Sequence, residues 1–278
     1  MTHYGMAVPA ALILISLSIP SAGQTTDDTA PATNFVAPVQ TPAQATSPTS
    51  PLGQNQLSPE EMADILMARK DYREAAFSYK KLLDANPRNA VYWNKLGIAL
   101  HQQEELSGAL KSYQQAVKVN PQYADAQNNI GTIWYQRKKY GKAVRAYERA
   151  IKIRSDMAVL YSNLGYAYFG EKKYEQSIAS FRQTLVIDPQ FFERASSRGG
   201  SVLQDRSVSD RGRFYFLLAK SFAEAGNFDR SLIYLRKAKE EGFAQMNDVK
   251  TDPSFSAMLK LPETQEILAP KAADSPLP

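Results

Sequence analysis

The chain has 278 residues, with 33 Lys and Arg against 28 Asp and Glu and a formal net charge of +5. It has no cysteine and two histidines, His3 and His101, which removes disulfides, thiolate nucleophiles and multi-histidine metal sites from consideration. So mild a positive balance does not by itself point to nucleic acid.

Residues 1–23 read as a secretory signal. Ala7–Ile19 is apolar but short for a bilayer span, and Ser21-Ala22-Gly23 offers small residues for cleavage. Because no Lys or Arg precedes the apolar run, the alternative is an uncleaved N-terminal anchor. The expectation is export, to the periplasm or as a secreted protein. Residues 24–57 are rich in Thr, Pro, Ala, Ser and Gln, lack Lys and Arg, and read as a disordered linker.

Order begins at Ser58, which can cap a helix with Pro59 in its first turn and Glu61 reaching back as a capping box. Asp71-Tyr72 marks a turn, and Ala75, Tyr79 and Leu82 follow on a second helix. In the next stretch Trp93, Leu96, Gly97 and Leu100 fall at i, i+3, i+4, i+7, one apolar stripe. Ala109, Tyr113 and Ala116 make the matching stripe of a partner helix, and Pro121 stops it. Gly97 and Ala109 let the two backbones approach closely.

The pattern returns every 34 residues: Gly97, Gly131, Gly165; Ala75, Ala109, Ala143, then Ser177; Tyr79, Tyr113, Tyr147, then Phe181. Pro87, Pro121 and Pro189 keep the same phase, with Ser155 in the one slot without proline. Tyr215, Leu218, Ala219 and Phe222 open a further unit, continued by Gly226, Phe228, Ser231, Leu235 and Ala238. Ala219 lies 54 residues after Gly165, so 20 residues are inserted, and the Ser/Gly/Arg-rich stretch 192–211 is expected to be a flexible loop. Asp252-Pro253 starts a capping segment over 244–268, whose Phe255, Met258, Leu259 and Leu261 can cover the end of the last unit; 269–278 is expected to be a disordered tail.

This unit resembles the tetratricopeptide repeat (TPR), with its W-x2-L-G-x2-Y…A-x3-F…P pattern. The resemblance, of a bacterial exported type, implies an all-α, right-handed helical-hairpin solenoid of about five repeats with a C-terminal capping helix. The repeats would span 58–89, 90–123, 124–157, 158–191 and 212–243. It also implies a protein-interaction scaffold rather than an enzyme. No phosphate-binding glycine loop, metal signature or nucleophile with a histidine partner is present, so no catalytic residue, metal or cofactor is expected.

Two surfaces are candidates for binding. Matching positions place Asn94, Asn128, Asn129, Thr132, Tyr135, Asn163, Tyr166 and Phe169 on the concave wall of the first helices. Asparagines there could pair with the backbone of an extended peptide or helix, and the rings could supply apolar contact. Asn129 and Asn163 resemble the asparagine ladder in the TPR superhelix of O-linked GlcNAc transferases. The other reading is that the asparagines are ordinary solvated repeat residues and the rings pack between neighbouring first helices. The second surface is a basic ridge, Lys138, Lys142, Arg145, Arg149 and Lys152, at i, i+4, i+7, i+11 and i+14 of one helix. It would suit an anionic envelope surface or an acidic partner. A groove without basic character argues against nucleic acid. Nothing in the sequence indicates an oligomeric state.

Overall fold

The computed structural model describes residues 57–197 and 208–269, and all the regular structure among them is helical. The expected signal and linker therefore lie outside the described residues. Ten helices pair as antiparallel hairpins: α1 (Pro59–Ala68) with α2 (Tyr72–Ala85), α3 (Ala90–Gln102) with α4 (Leu106–Val119), and α5 (Ala124–Gln136) with α6 (Tyr140–Ile153). Then α7 (Ala158–Gly170) pairs with α8 (Tyr174–Ile187), a short α9 (Phe191–Ser197) intervenes, and α10 (Val208–Glu224) pairs with α11 (Phe228–Glu240). Each second helix also packs on a first helix of the next hairpin, so the hairpins stack as a solenoid. No described helix is long and apolar enough to cross a membrane.

Local chemistry explains the repetition. Ser58 and Glu61 form the reciprocal capping box at the start of α1. Every hairpin turns through a left-handed residue: Lys70, Glu104, Lys138, Lys172 and Gly226, with φ between 56° and 76°. After each, an amide returns to the carbonyl five residues back, as in Glu105 N to Leu100 O at 2.9 Å and Asn227 N to Phe222 O at 2.9 Å. Inside the hairpins, a Cβ on Gly97, Gly131 or Gly165 would lie 2.5 Å from a ring carbon of Tyr113, Tyr147 or Phe181. The periodic glycine is therefore the seat of the periodic ring. Ser177 and Ser231, standing where earlier hairpins carry alanine, donate to the carbonyls of Gly165 and Ala219 at 2.9 and 2.8 Å.

The stretch 192–211 corrects the sequence expectation. It is helical at both ends, in α9 and in the first turn of α10, while 198–207 lies outside the described residues. Aromatic packing is the cause: Phe192 is buried and meets Phe181 and Phe222 edge-on, with centroids 5.5 and 6.1 Å away. Past α11, two 3₁₀ turns (Met246–Lys250 and Pro253–Met258) and α12 (Pro262–Leu268) close the end of the solenoid. Val249, Phe255 and Met258 are fully buried in the cluster that includes Phe216 and Leu217. An ion pair of Lys220 with Asp252, at 2.9 Å, fastens this cap to α10.

Candidate protein-binding surfaces

The side chains expected on an open concave wall are mostly closed off. Asn94, Asn128, Asn129, Thr132, Tyr135, Asn163 and Phe169 are buried, and only Tyr166 is half-buried. The asparagines are bonded to one another. Asn163 Nδ2 donates to Asn128 Oδ1 at 2.9 Å, and Asn129 Nδ2 donates to Asn94 Oδ1 at 3.1 Å. Asn128 Nδ2 links the two pairs through Asn129 Oδ1 at 3.5 Å.

A buried amide has limited hydrogen-bonding capacity, and here much of it is spent between repeats rather than held out to a peptide. The rings pack as well. Tyr135 meets Tyr140 edge-on, Tyr166 stacks on Phe214 of α10, and Phe169 meets the same Phe214. The expectation of an accessible Asn/aromatic wall is thus corrected. These residues form seams between hairpins because neighbouring first helices approach closely enough for short amides to meet.

The rule behind the seam is an offset of 35, not 34. Lys95 Nζ donates to Glu60 Oε1 at 3.3 Å, Asn129 to Asn94, His101 Nε2 pairs with Gln136 Oε1 at 2.8 Å, and Asn163 donates to Asn128, all 35 residues apart. All four pairs stand in the sequence at that spacing, a signal that a search at the repeat period passes over. At the first seam the amides give way to charge. Lys95, with its side chain 5% exposed, reaches both Asp64 oxygens at 2.8 and 2.7 Å, and Tyr92 donates to Glu60 at 2.6 Å. Tyr79 also donates to Asp64, and burial above all, then that bond, pushes the Tyr79 hydroxyl far up from its ordinary range.

His101 is buried against Tyr113. Burial holds its pKa below the ordinary 6.5, against the opposing effect of the Gln136 bond.

The ridge behaves differently. Lys138, Lys142, Arg145, Arg149 and Lys152 are all exposed, and none is in an ion pair among the described residues. Lys142 rests 4.5 Å over the Trp134 ring and Arg137 lies 5.6 Å from it, which steadies one end. The one acid on α6, Glu148, accepts the Tyr168 hydroxyl at 2.9 Å, so its carboxylate is turned to α7. Burial, then this bond, pushes Tyr168 up to about 12. Nearby Arg154 is engaged by Asp156, at 3.0 and 3.1 Å. What α6 offers outward is a row of unopposed cations.

Family models for the tetratricopeptide repeat match residues 61–116 and 158–191, and a model for the TPR repeat matches 99–137 and 131–172. The four hairpins from α1 to α8 are tetratricopeptide repeats. Several solved TPR structures are similar. A crystal structure of MamA shares 23% identity, with 68% of this chain and 97% of that one covered and a TM-score of 0.48. MamA from Desulfovibrio magneticus RS-1 shares 16%, covering 70% and 96%, with a TM-score of 0.48. YrrB, described as a TPR protein with an unusual peptide-binding site, shares 15%, covering 69% and 89%, with a TM-score of 0.46. No curated protein matches the chain by sequence. Within the TPR frame, the third repeat carries the ridge and the first two enclose a separate cleft, lined by residues from Lys80 to Ser112.

Proposed function

We propose that this chain is a non-catalytic scaffold of the cell envelope that holds an acidic protein segment on the basic face of its third TPR. One observation supports the reading most. Lys142, Arg145, Arg149 and Lys152 on α6, with Lys138 in the turn before it rather than on the same helix, are exposed without an acid partner among the described residues, while the only acid of α6 is engaged by Tyr168. Ion pairing in water is weak for one pair, but a row of charges on a rigid helix acts together and steers encounter. The concave wall, first choice from the sequence, is the weaker candidate because its amides are committed to each other. Envelope location rests on the signal-like residues 1–23, and fractionation of a tagged chain tests it.

Reversal of two charges tests the binding face. Arg145→Glu with Arg149→Glu should abolish partner capture at low salt with helicity unchanged, and wild-type capture should fall steeply as salt rises. Capture unaffected by both variant and salt overturns the reading. An anionic lipid surface is the second use such a ridge could have, and vesicles with and without acidic lipid separate the two.

A further inference from the structure

The cleft between the first two repeats has a volume of about 650 Å³. Leu83 of α2 and Leu96 and Leu100 of α3 line it, with Trp93 and, on α4, Gly108. The repeat itself explains why it is open. At the place of Leu100 the third repeat has Trp134 and the fourth has Tyr168, and at the place of Gly108 the third has Lys142.

Trp134 packs against the cores on both sides of its junction and carries Lys142 and Arg137 near its ring. Tyr168 fills the next junction and donates to Glu148 on the preceding second helix. Two junctions are thus closed by the chain's own aromatic side chain, dressed by a cation in one and a carboxylate in the other. In the first junction the ring is a leucine and the lysine a glycine. Lys80 and Lys111, together with Asp84 and Glu105, remain on the rim as the same two kinds of group, with no ring at the place of Leu100, while Trp93, donating to the Pro87 carbonyl, forms one wall.

We infer that this cleft receives an aromatic side chain, Trp or Tyr, presented by a protein partner. The apolar floor takes the ring, Lys80 and Lys111 approach its face, and a rim carboxylate accepts the indole N–H or phenol O–H. Gly108 keeps the entrance wide: a Cβ there would already lie 3.2 Å from Leu100 Cδ1. The inference rests on the scaffold reading but not on the basic ridge as its binding face.

The test is a methyl-resolved NMR titration of the leucine-labelled full chain with N-acetyl-tryptophanamide, and separately with N-acetyl-leucinamide. The expected result is a saturable shift of the Leu83, Leu96 and Leu100 methyls with the tryptophan compound and none with the leucine compound. Leu100→Trp with Gly108→Lys copies the filling of the third repeat and should erase the response at Leu83 and Leu96. Should that variant fail to fold, Lys80→Ala with Lys111→Ala leaves the floor intact and should weaken binding roughly five-fold or more. No saturable shift in the wild-type chain, or an equal response to both compounds, overturns the inference. Arg145→Glu with Arg149→Glu should leave the titration unchanged, so the cleft and the ridge fail separately.

Discussion

Asn163 on α7 donates to Asn128 on α5 at 2.9 Å, and the same geometry joins Asn129 to Asn94 one junction earlier. Both pairs are buried, so each amide is needed by its partner rather than by a ligand.

Asn128→Ala should therefore act on stability before it acts on binding. Removing one amide leaves Asn163 and Asn129 each short of a buried partner, at a cost of about 1–3 kcal/mol. Urea unfolding followed by circular dichroism measures it, and a double-mutant cycle with Asn163→Ala should show coupling. Additive losses would mean the bond contributes nothing.

A second relation runs within the hairpins. In the first and third repeats the ring hydroxyl meets the residue 15 positions earlier: Tyr79 donates to Asp64, and Tyr147 to Thr132 at 3.4 Å. For Tyr113 that residue is Ile98, and its buried hydroxyl has no partner among the described residues. Tyr113→Phe should be neutral or stabilising by up to about 1 kcal/mol, whereas Tyr79→Phe should destabilise by about 1–3 kcal/mol. Ile98→Thr should reverse the order for Tyr113. Thermal melts of the three variants decide it.

The turns yield a third prediction. Lys172 is held at φ 62°, where a side chain is strained and glycine is not. Lys172→Gly should raise stability by about 0.5–1 kcal/mol, and Gly226→Ala, at φ 76°, should lower it by about 1 kcal/mol. Chemical denaturation of the two variants checks both signs.

Acid should loosen the second repeat. His101 has its folded pKa below the ordinary 6.5, mainly because burial disfavours the imidazolium. A depressed folded pKa gives stability that is present above pH 6.5 and is lost as pH falls toward the folded value, since the unfolded chain takes the proton first. Denaturation midpoints should therefore decline from about pH 7 toward pH 5 in the wild-type chain. His101→Gln should flatten that limb. An unchanged slope in the variant would place the effect elsewhere.

The sequence carried the hairpins in full, because glycine, alanine and aromatic residues at a fixed period have few structural meanings. Gly97 reads from the sequence as a point of close helix approach, while the Tyr113 ring that sits on it is a finding of the structure. What was not legible is which polar residues face a neighbour. Helix–helix contacts between repeats depend on how far one hairpin is rotated against the next, and a search at 34 residues cannot reveal partners 35 apart. Phe192 escaped for a related reason. Its neighbours Ser196, Ser197, Gly199 and Gly200 read as a loop, while its ring has a place between Phe181 and Phe222 that only the stacked array creates. The ridge was the easier surface to read, since an exposed charge needs no partner to be placed.

The most direct measurement is site-specific photo-cross-linking in the native host, with the reactive residue at Lys142 or Arg149 on the ridge and at exposed Gln102 on the concave side. The account predicts one salt-sensitive partner adduct from both ridge positions and none from Gln102. Adducts formed from Gln102 while the ridge positions stay silent would contradict it.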